Sequence, residues 1–123
     1  MSTTADRVHY AQVRQYDVPS SLCDLHGPSS GTLDLPRSVH WGPRSAFDLD
    51  KEADLARAYN AIIREGRLSD QRRLLNPRLL LRVWPLLTLP RECARRWEEC
   101  FASLADERQR HESEQTDWWL EWR

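Results

Sequence analysis

Apolar positions along this 123-residue chain change their spacing several times, and each change predicts an element. Residues 1–19 carry Val8, Tyr10, Val13, Tyr16 and Val18 among polar neighbours at no fixed period. That pattern predicts a mobile arm, or a strand that orders only on a partner. Ser20 is placed to cap a single helical turn, which Gly27-Pro28 stops. Thr32-Leu33-Asp34-Leu35 alternates and predicts a short strand. Ser38-Val39-His40-Trp41 is its expected partner, with Pro36 and Pro43 confining both to short or edge strands.

Beyond Asp50 the period becomes helical. Asp50 is the expected N-cap, and Glu52 and Asp54 complement the helix dipole. Leu55, Tyr59, Ile62 and Ile63 then form one apolar stripe that ends at Gly66. Ser69 is expected to cap a short turn over 70–75. Asn76-Pro77 is a helix start, with an N-capping side chain followed by proline at the first helical position. This helix runs through Leu79, Leu80, Val83 and Trp84 to Leu87, and Pro85 weakens or kinks it. A last helix begins at Leu89-Pro90 with the stripe Cys93, Trp97, Cys100/Phe101 and Leu104. Residues 106–117 are polar without apolar spacing, and the chain closes on Trp118-Trp119-Leu120-Glu121-Trp122-Arg123.

The fold class that follows is α+β, mainly α, with a short N-terminal β-hairpin packed on a three-helix core. One globular domain over 20–105 lies between a mobile arm, 1–19, and an acidic Trp-rich tail, 106–123. The expected core is Leu33, Leu35, Trp41, Leu55, Tyr59, Ile62, Leu80, Val83, Trp84, Leu87, Trp97, Phe101 and Leu104. Trp41 and Trp84 would join the two layers. There is no internal repeat.

Charge changes this picture more than composition does. The formal net charge is −1. Ten arginines and three acids lie between Arg57 and Arg96, whereas eight acids and three arginines follow Trp97. A basic face seeks an anionic counterpart: nucleic acid, an acidic protein surface or the chain's own tail. The one lysine, Lys51, against seventeen arginines also suggests a GC-rich coding sequence, so part of the arginine excess reflects codon usage. Arg64, Arg67, Arg72, Arg73 and Arg78, at helix ends and joints, are the candidate contacts for a partner. Trp118, Trp119 and Trp122 are candidate anchors, since exposed aromatics beside acids are costly unless covered. The alternatives are a solvated helix surface paired with local acids, and a tail folded back on its own core.

Other chemistries find little support. No apolar run approaches the ~20 residues of a membrane span, and the first residues have no apolar signal segment, so a cytoplasmic protein without membrane contact is expected. Cys93 and Cys100, two helical turns or ~10 Å apart, are too distant to bridge and are expected to be core thiols. Cys23 and His26, with His40, supply half of a zinc pattern, and His111 with Glu114 is no stronger, so no metal site is expected. There is no P-loop, dinucleotide fingerprint or nucleophile elbow. No catalytic residue and no cofactor are expected, and the chain is not expected to be an enzyme.

Several stretches together carry a resemblance. They are Leu25-His26-Gly27-Pro28-Ser29-Ser30-Gly31-Thr32-Leu33-Asp34-Leu35-Pro36, Trp41, and Phe47-Asp48-Leu49-Asp50. They continue in Tyr59 with Ile62-Ile63-Arg64-Glu65, in Leu80 with Val83-Trp84-Pro85, Leu87 and Leu89-Pro90, and in Trp97-Glu98. In this order, over Leu22–Phe101, the chain resembles a family of small actinobacterial proteins, loosely labelled transcriptional regulators, that accompany nucleotidyltransferase-like toxins of the abortive-infection type. The resemblance implies an antitoxin that binds and restrains its cognate toxin, with room for a regulatory role at its own promoter. It brings no binding residues with it. The leading expectation is therefore a non-catalytic protein-binding module, most specifically an antitoxin in a bacterial toxin–antitoxin system. The alternative is a nucleic-acid-binding transcriptional regulator that uses the arginine block.

Overall fold

Leu33 and Phe47 face each other across a two-stranded antiparallel hairpin and both turn their side chains inward. Its strands are β1, Thr32–Asp34, and β2, Ala46–Asp48. The computed structural model describes the backbone of residues 16–43 and 45–121, with side chains through residue 114. Among these residues the architecture is α+β and mainly helical, with five α-helices following the hairpin. Backbone bonds from Leu35 N–H to Ser45 O (2.9 Å) and from Leu49 N–H to Gly31 O (2.8 Å) extend the ladder at both ends. Gly31 takes φ +85°, a conformation glycine adopts without Cβ strain.

The hairpin partner differs from the expected Ser38–Trp41. The Pro36 carbonyl accepts from both Val39 N–H (2.9 Å) and His40 N–H (3.0 Å), so this stretch closes a turn and has no extended ladder to offer. Val39 enters the core, and Trp41, expected in the core, is 84% exposed. Val39, Phe47 and Leu49 fill the hairpin side of the core instead, so only Trp84 of the two expected joining tryptophans is buried.

Helix α1, Glu52–Glu65, buries Leu55, Ala58, Tyr59, Ile62 and Ile63 as its stripe requires. Its N-cap is Lys51 rather than Asp50. The Asp48 carboxylate accepts from Asp50 N–H (2.9 Å), and the Asp54 carboxylate reaches back to Asp48 N–H (3.1 Å), so a local turn delays the helix by one residue. Gly66 ends α1; a Cβ there would lie 2.5 Å from the Ile62 carbonyl oxygen.

Helix α2 spans Leu68–Leu74, and Ser69 lies inside it rather than capping it. Its free N–H groups are met by carboxylates: Asp70 accepts from Arg67 N–H (3.0 Å), and Asp17 accepts from Leu68 N–H (3.2 Å). The Gln71 side-chain amide also donates to the Asp17 carbonyl (2.8 Å), and Pro19 is fully buried. The end of the expected mobile arm is therefore docked on α2, while residues 1–15 lie outside the described residues.

Helix α3, Pro77–Val83, starts where Asn76-Pro77 predicts. Pro85 lacks an N–H and cannot continue the ladder, so the chain tightens into a 3-10 turn at Trp84–Leu86. Helix α4, Arg91–Cys100, then stops at Phe101, whose backbone is extended (φ −131°, ψ 94°), and α5 runs over Ala102–Glu121. The single last helix expected through Leu104 is thus two helices, and the 105/106 boundary falls inside α5. Of the two expected core thiols Cys93 is buried, while Cys100 faces solvent. Trp97 sits at the centre, its ring centroid 6.3 Å from that of Trp84 and 5.9 Å from that of Phe101.

Glu98 fastens α5 to this core. It accepts from the Trp84 indole N–H (2.9 Å) and from a forked Arg108 guanidinium at 2.7 and 2.9 Å. Arg108 in turn holds the Glu98 carboxyl below the ordinary glutamate range.

Asn76 is the second junction. Its Oδ1 accepts from Arg78 N–H (3.0 Å) and Leu79 N–H (3.3 Å), its own N–H donates to the Tyr59 hydroxyl (2.9 Å), and its Nδ2 donates to the Gly27 carbonyl (3.2 Å). Gly27 N–H donates to Leu75 O (2.7 Å), and a Cβ on Gly27 would lie 2.2 Å from Leu74 O, so only glycine fits this approach. Burial pushes the Tyr59 phenol up to about 12 against an ordinary 10.0, with the Asn76 hydrogen bond opposing the shift.

Two outcomes follow. Asn76→Ala removes a cap and strands the Gly27 carbonyl, and is expected to lower unfolding free energy by about 2 kcal/mol; Asn76→Asp, which keeps the cap, should lose roughly half as much, both read from urea unfolding. Because the Tyr59 pKa is raised by folding, its contribution is full below pH 10.0 and declines as pH rises toward about 12. Urea midpoints across that window should fall for the wild type, and Tyr59→Phe should flatten the decline after allowance for its lower starting stability.

Candidate functional site

The arginine block divides once its partners are counted. Arg95 pairs with Glu92 (2.6 Å) and with Glu99, and Arg96 pairs with Glu92 (3.1 Å), so these arginines are consumed on the surface of α4. Arg95 above all holds the Glu92 carboxyl below its ordinary range. In α5, Arg108 serves Glu98 and Glu112, and Arg110 pairs with Glu107. Arg73 stands 3.4 Å from Asp70, a long and exposed contact of little energy.

Of the block's other arginines, Arg91 opens α4 and the rest lie on or beside the first three helices. Arg57 and Arg64 are on α1, Arg67 precedes α2, Arg72 and Arg73 are in its last turn, and Arg78 and Arg82 lie on α3. All are exposed. Among the described residues no ion pair forms at Arg57, Arg64, Arg67, Arg72, Arg78 or Arg82. Of the five candidate arginines, four therefore keep an unneutralised charge and Arg73 is weakly engaged.

The aromatic anchors are placed only in part. Trp118 and Trp119 fall in the last turn of α5; their side chains, and all of Trp122, lie outside the described residues. The described part of α5 packs on α3, α4 and the Trp84–Leu86 turn. Its acids Glu112 and Glu107 pair with Arg108 and Arg110 within α5.

A cleft that includes Arg57 and Arg64 has no counterpart in the sequence reading. It is an open cleft of about 640 Å³ between the Ser38–Pro43 segment and α1, lined by His40, Trp41, Arg57, Asn60, Arg64 and Glu65, among others. The His40 ring meets Phe47 edge-on at 5.4 Å. A Cβ on Gly42 would lie 2.7 Å from His40 Nε2, so the loop closes tightly around this imidazole. The Asn60 amide donates to Thr88 Oγ1 (3.3 Å) and its carbonyl oxygen accepts from Thr88 N–H (3.0 Å), which ties the segment after the 3-10 turn to α1. Trp41 borders this cleft with most of its indole in water. The available signal was proline: Pro36 and Pro43 flank Trp41 and exclude a regular inner strand.

Cys23, His26 and His40 do not assemble: among the described residues no three His, Cys, Asp or Glu side chains group to hold a metal ion. No helix among these residues is long and apolar enough to cross a membrane. Comparison with known proteins returns no matching family, no matching curated protein and no matching solved structure.

Among the described residues the site is a set of exposed cations with one exposed indole, Trp41, suited to an anionic counterpart. Because these side chains contribute little to the core, Trp41→Ala and Arg64→Ala should each shift stability by less than about 0.5 kcal/mol. Trp97→Ala, which empties the core centre, should cost about 3–5 kcal/mol, and thermal unfolding of the three variants distinguishes them.

Proposed function

We propose that this protein is a non-catalytic binding module for an acidic protein surface, acting in the cytoplasm as the antitoxin of a nucleotidyltransferase-like toxin. The observation that carries the binding role is the set of exposed arginines between Arg57 and Arg82, all but Arg73 without an ion pair among the described residues, of which Arg57 and Arg64 line a cleft beside the exposed Trp41. Charges left unpaired in the free protein need no internal bond broken before they meet a partner. A rigid indole beside them is the residue type that dominates interface energetics. The toxin as partner rests on the family resemblance carried by the segments between Leu22 and Phe101. A nucleotidyltransferase requires an acidic, metal-binding centre, and a basic face is complementary to it in charge. The antitoxin would act by occupying that site or by holding the toxin in an inactive arrangement, with the Trp-rich end of α5 as a second anchor.

A promoter-binding role uses the same arginines but fits the helices less well. Leu79, Leu80 and Val83 of α3 are buried, leaving little of this seven-residue helix to enter a groove.

Co-expression with the nucleotidyltransferase-like product of the neighbouring gene, followed by affinity capture and titration, tests the proposal. A complex is expected at micromolar concentration or below. Reversal of Arg64, Arg67, Arg72 and Arg78 to Glu should weaken it at least 100-fold without loss of fold. The absence of a complex at micromolar concentration would overturn the antitoxin reading. A promoter-DNA shift that weakens steeply with salt, in place of a protein complex, would favour the regulator.

A further inference from the structure

We propose that the cleft between Trp41 and α1 is a binding site for a nucleoside phosphate, either a free nucleotide or the phosphorylated end of a nucleic-acid strand. Three properties of the cleft support this, and none depends on the toxin partner.

Size is the first. About 640 Å³ lies inside the range of roughly 300–1,000 Å³ typical of small-molecule sites and exceeds what a lone inorganic anion needs.

The aromatic wall is the second. Trp41 is 84% exposed, which leaves its indole face available, and every base has a π-face that stacks on such a ring. The loop carrying Trp41 is not loosely held. Val39 and His40 are bonded to the Pro36 carbonyl, Val39 is buried, and the His40 ring is seated on Phe47. The indole is therefore presented from an anchored turn.

Charge is the third. Arg57 and Arg64 are seven residues apart on α1, two turns or ~10 Å along the axis, and both line the cleft. Their long stems let both forks reach an anion lying between them, and a guanidinium matches phosphate oxygens in a bidentate manner. Neither arginine has an ion pair among the described residues. One carboxylate, Glu65, also lines the cleft and has an interaction of its own, so the two guanidinium groups leave the lining a net positive charge. Asn60, between the arginines, spends its amide and its carbonyl on Thr88, which stiffens the helix side of the cleft. The division into a stacking wall and a cationic wall matches the two halves of a nucleotide. An acidic peptide would use the arginines but gains less from a free indole face.

The test uses the full-length protein and calorimetric titration with AMP, ATP, adenosine, inorganic phosphate, a 5′-phosphorylated tetranucleotide and a Glu-rich peptide. AMP or ATP should bind saturably, and more tightly than either adenosine or phosphate alone. Trp41→Ala should weaken nucleotide binding about tenfold or more, as expected for loss of one stacking contact. Arg57→Ala/Arg64→Ala should weaken ATP but leave adenosine unchanged. Unchanged thermal unfolding of these surface variants would confirm that the losses are local. Equal affinity for AMP and the tetranucleotide assigns the site to free nucleotides, while at least tenfold preference for the tetranucleotide assigns it to strand ends. Three results would overturn the proposal: no saturable nucleotide binding at millimolar concentration, phosphate binding as tightly as AMP with no dependence on Trp41, or saturation by the Glu-rich peptide alone. Failure of the toxin complex with nucleotide binding intact would overturn only the antitoxin reading.

Discussion

One asparagine holds the layers of this protein together. Asn76 spends its backbone N–H on Tyr59 of α1, its side-chain oxygen on the start of α3 and its side-chain amide on the Gly27 loop. Each group, left unpaired in a partly buried setting, would carry a desolvation cost of ~1–3 kcal/mol. The three groups cannot all be satisfied unless helix, helix and loop are in place together, so the residue acts as a geometric lock. The close approach at Gly27, which a Cβ would block, belongs to the same junction. Through it the segment leading to the hairpin is registered against α1, and with it the wall of the Trp41 cleft that the hairpin loop supplies.

A second constraint concerns where charge is spent. On α4 and α5 arginines and acids alternate at spacings of three and four, so their side chains meet on one helix surface. Arg108 goes further and forks onto a largely buried Glu98 that is also bonded to Trp84, fastening α5 to the core. On α1 to α3 the arginines, apart from Arg57 within α1, sit at helix ends and joints. Ion pairs thus gather on α4 and α5, while the arginines of α1 to α3 other than Arg73 form none among the described residues. The binding role proposed here draws on that separation rather than on net charge, which is close to zero.

Legibility followed the range of the interactions. The α1 stripe, the Asn76-Pro77 start and the break near Pro85 depend on residues within a turn or two of each other, and the sequence shows all of them. The hairpin partner was missed because β pairing is decided at a distance. Ser38–Trp41 alternates suitably, but Pro36 closes a turn there, and Phe47 rather than Val39 meets Leu33. The helix in the polar tail was missed because periodicity reports only faces that are buried, and Leu104 is the last fully buried side chain described on α5. The cleft was missed because its walls come from a loop and a helix separated in sequence, and Trp41 looked like core by residue type alone.

By itself the sequence determined the helical, hairpin-bearing class of the fold, most of its core and the concentration of arginines in the middle of the chain. These follow from local period, capping and composition, which need no knowledge of distant partners. The tertiary structure decided which arginines stay unpaired, which strand closes the hairpin and that Trp41 faces water beside Arg57 and Arg64. Those outcomes depend on which groups meet across the fold. Pairing is a competition among all groups within reach, and only the folded chain sets that reach.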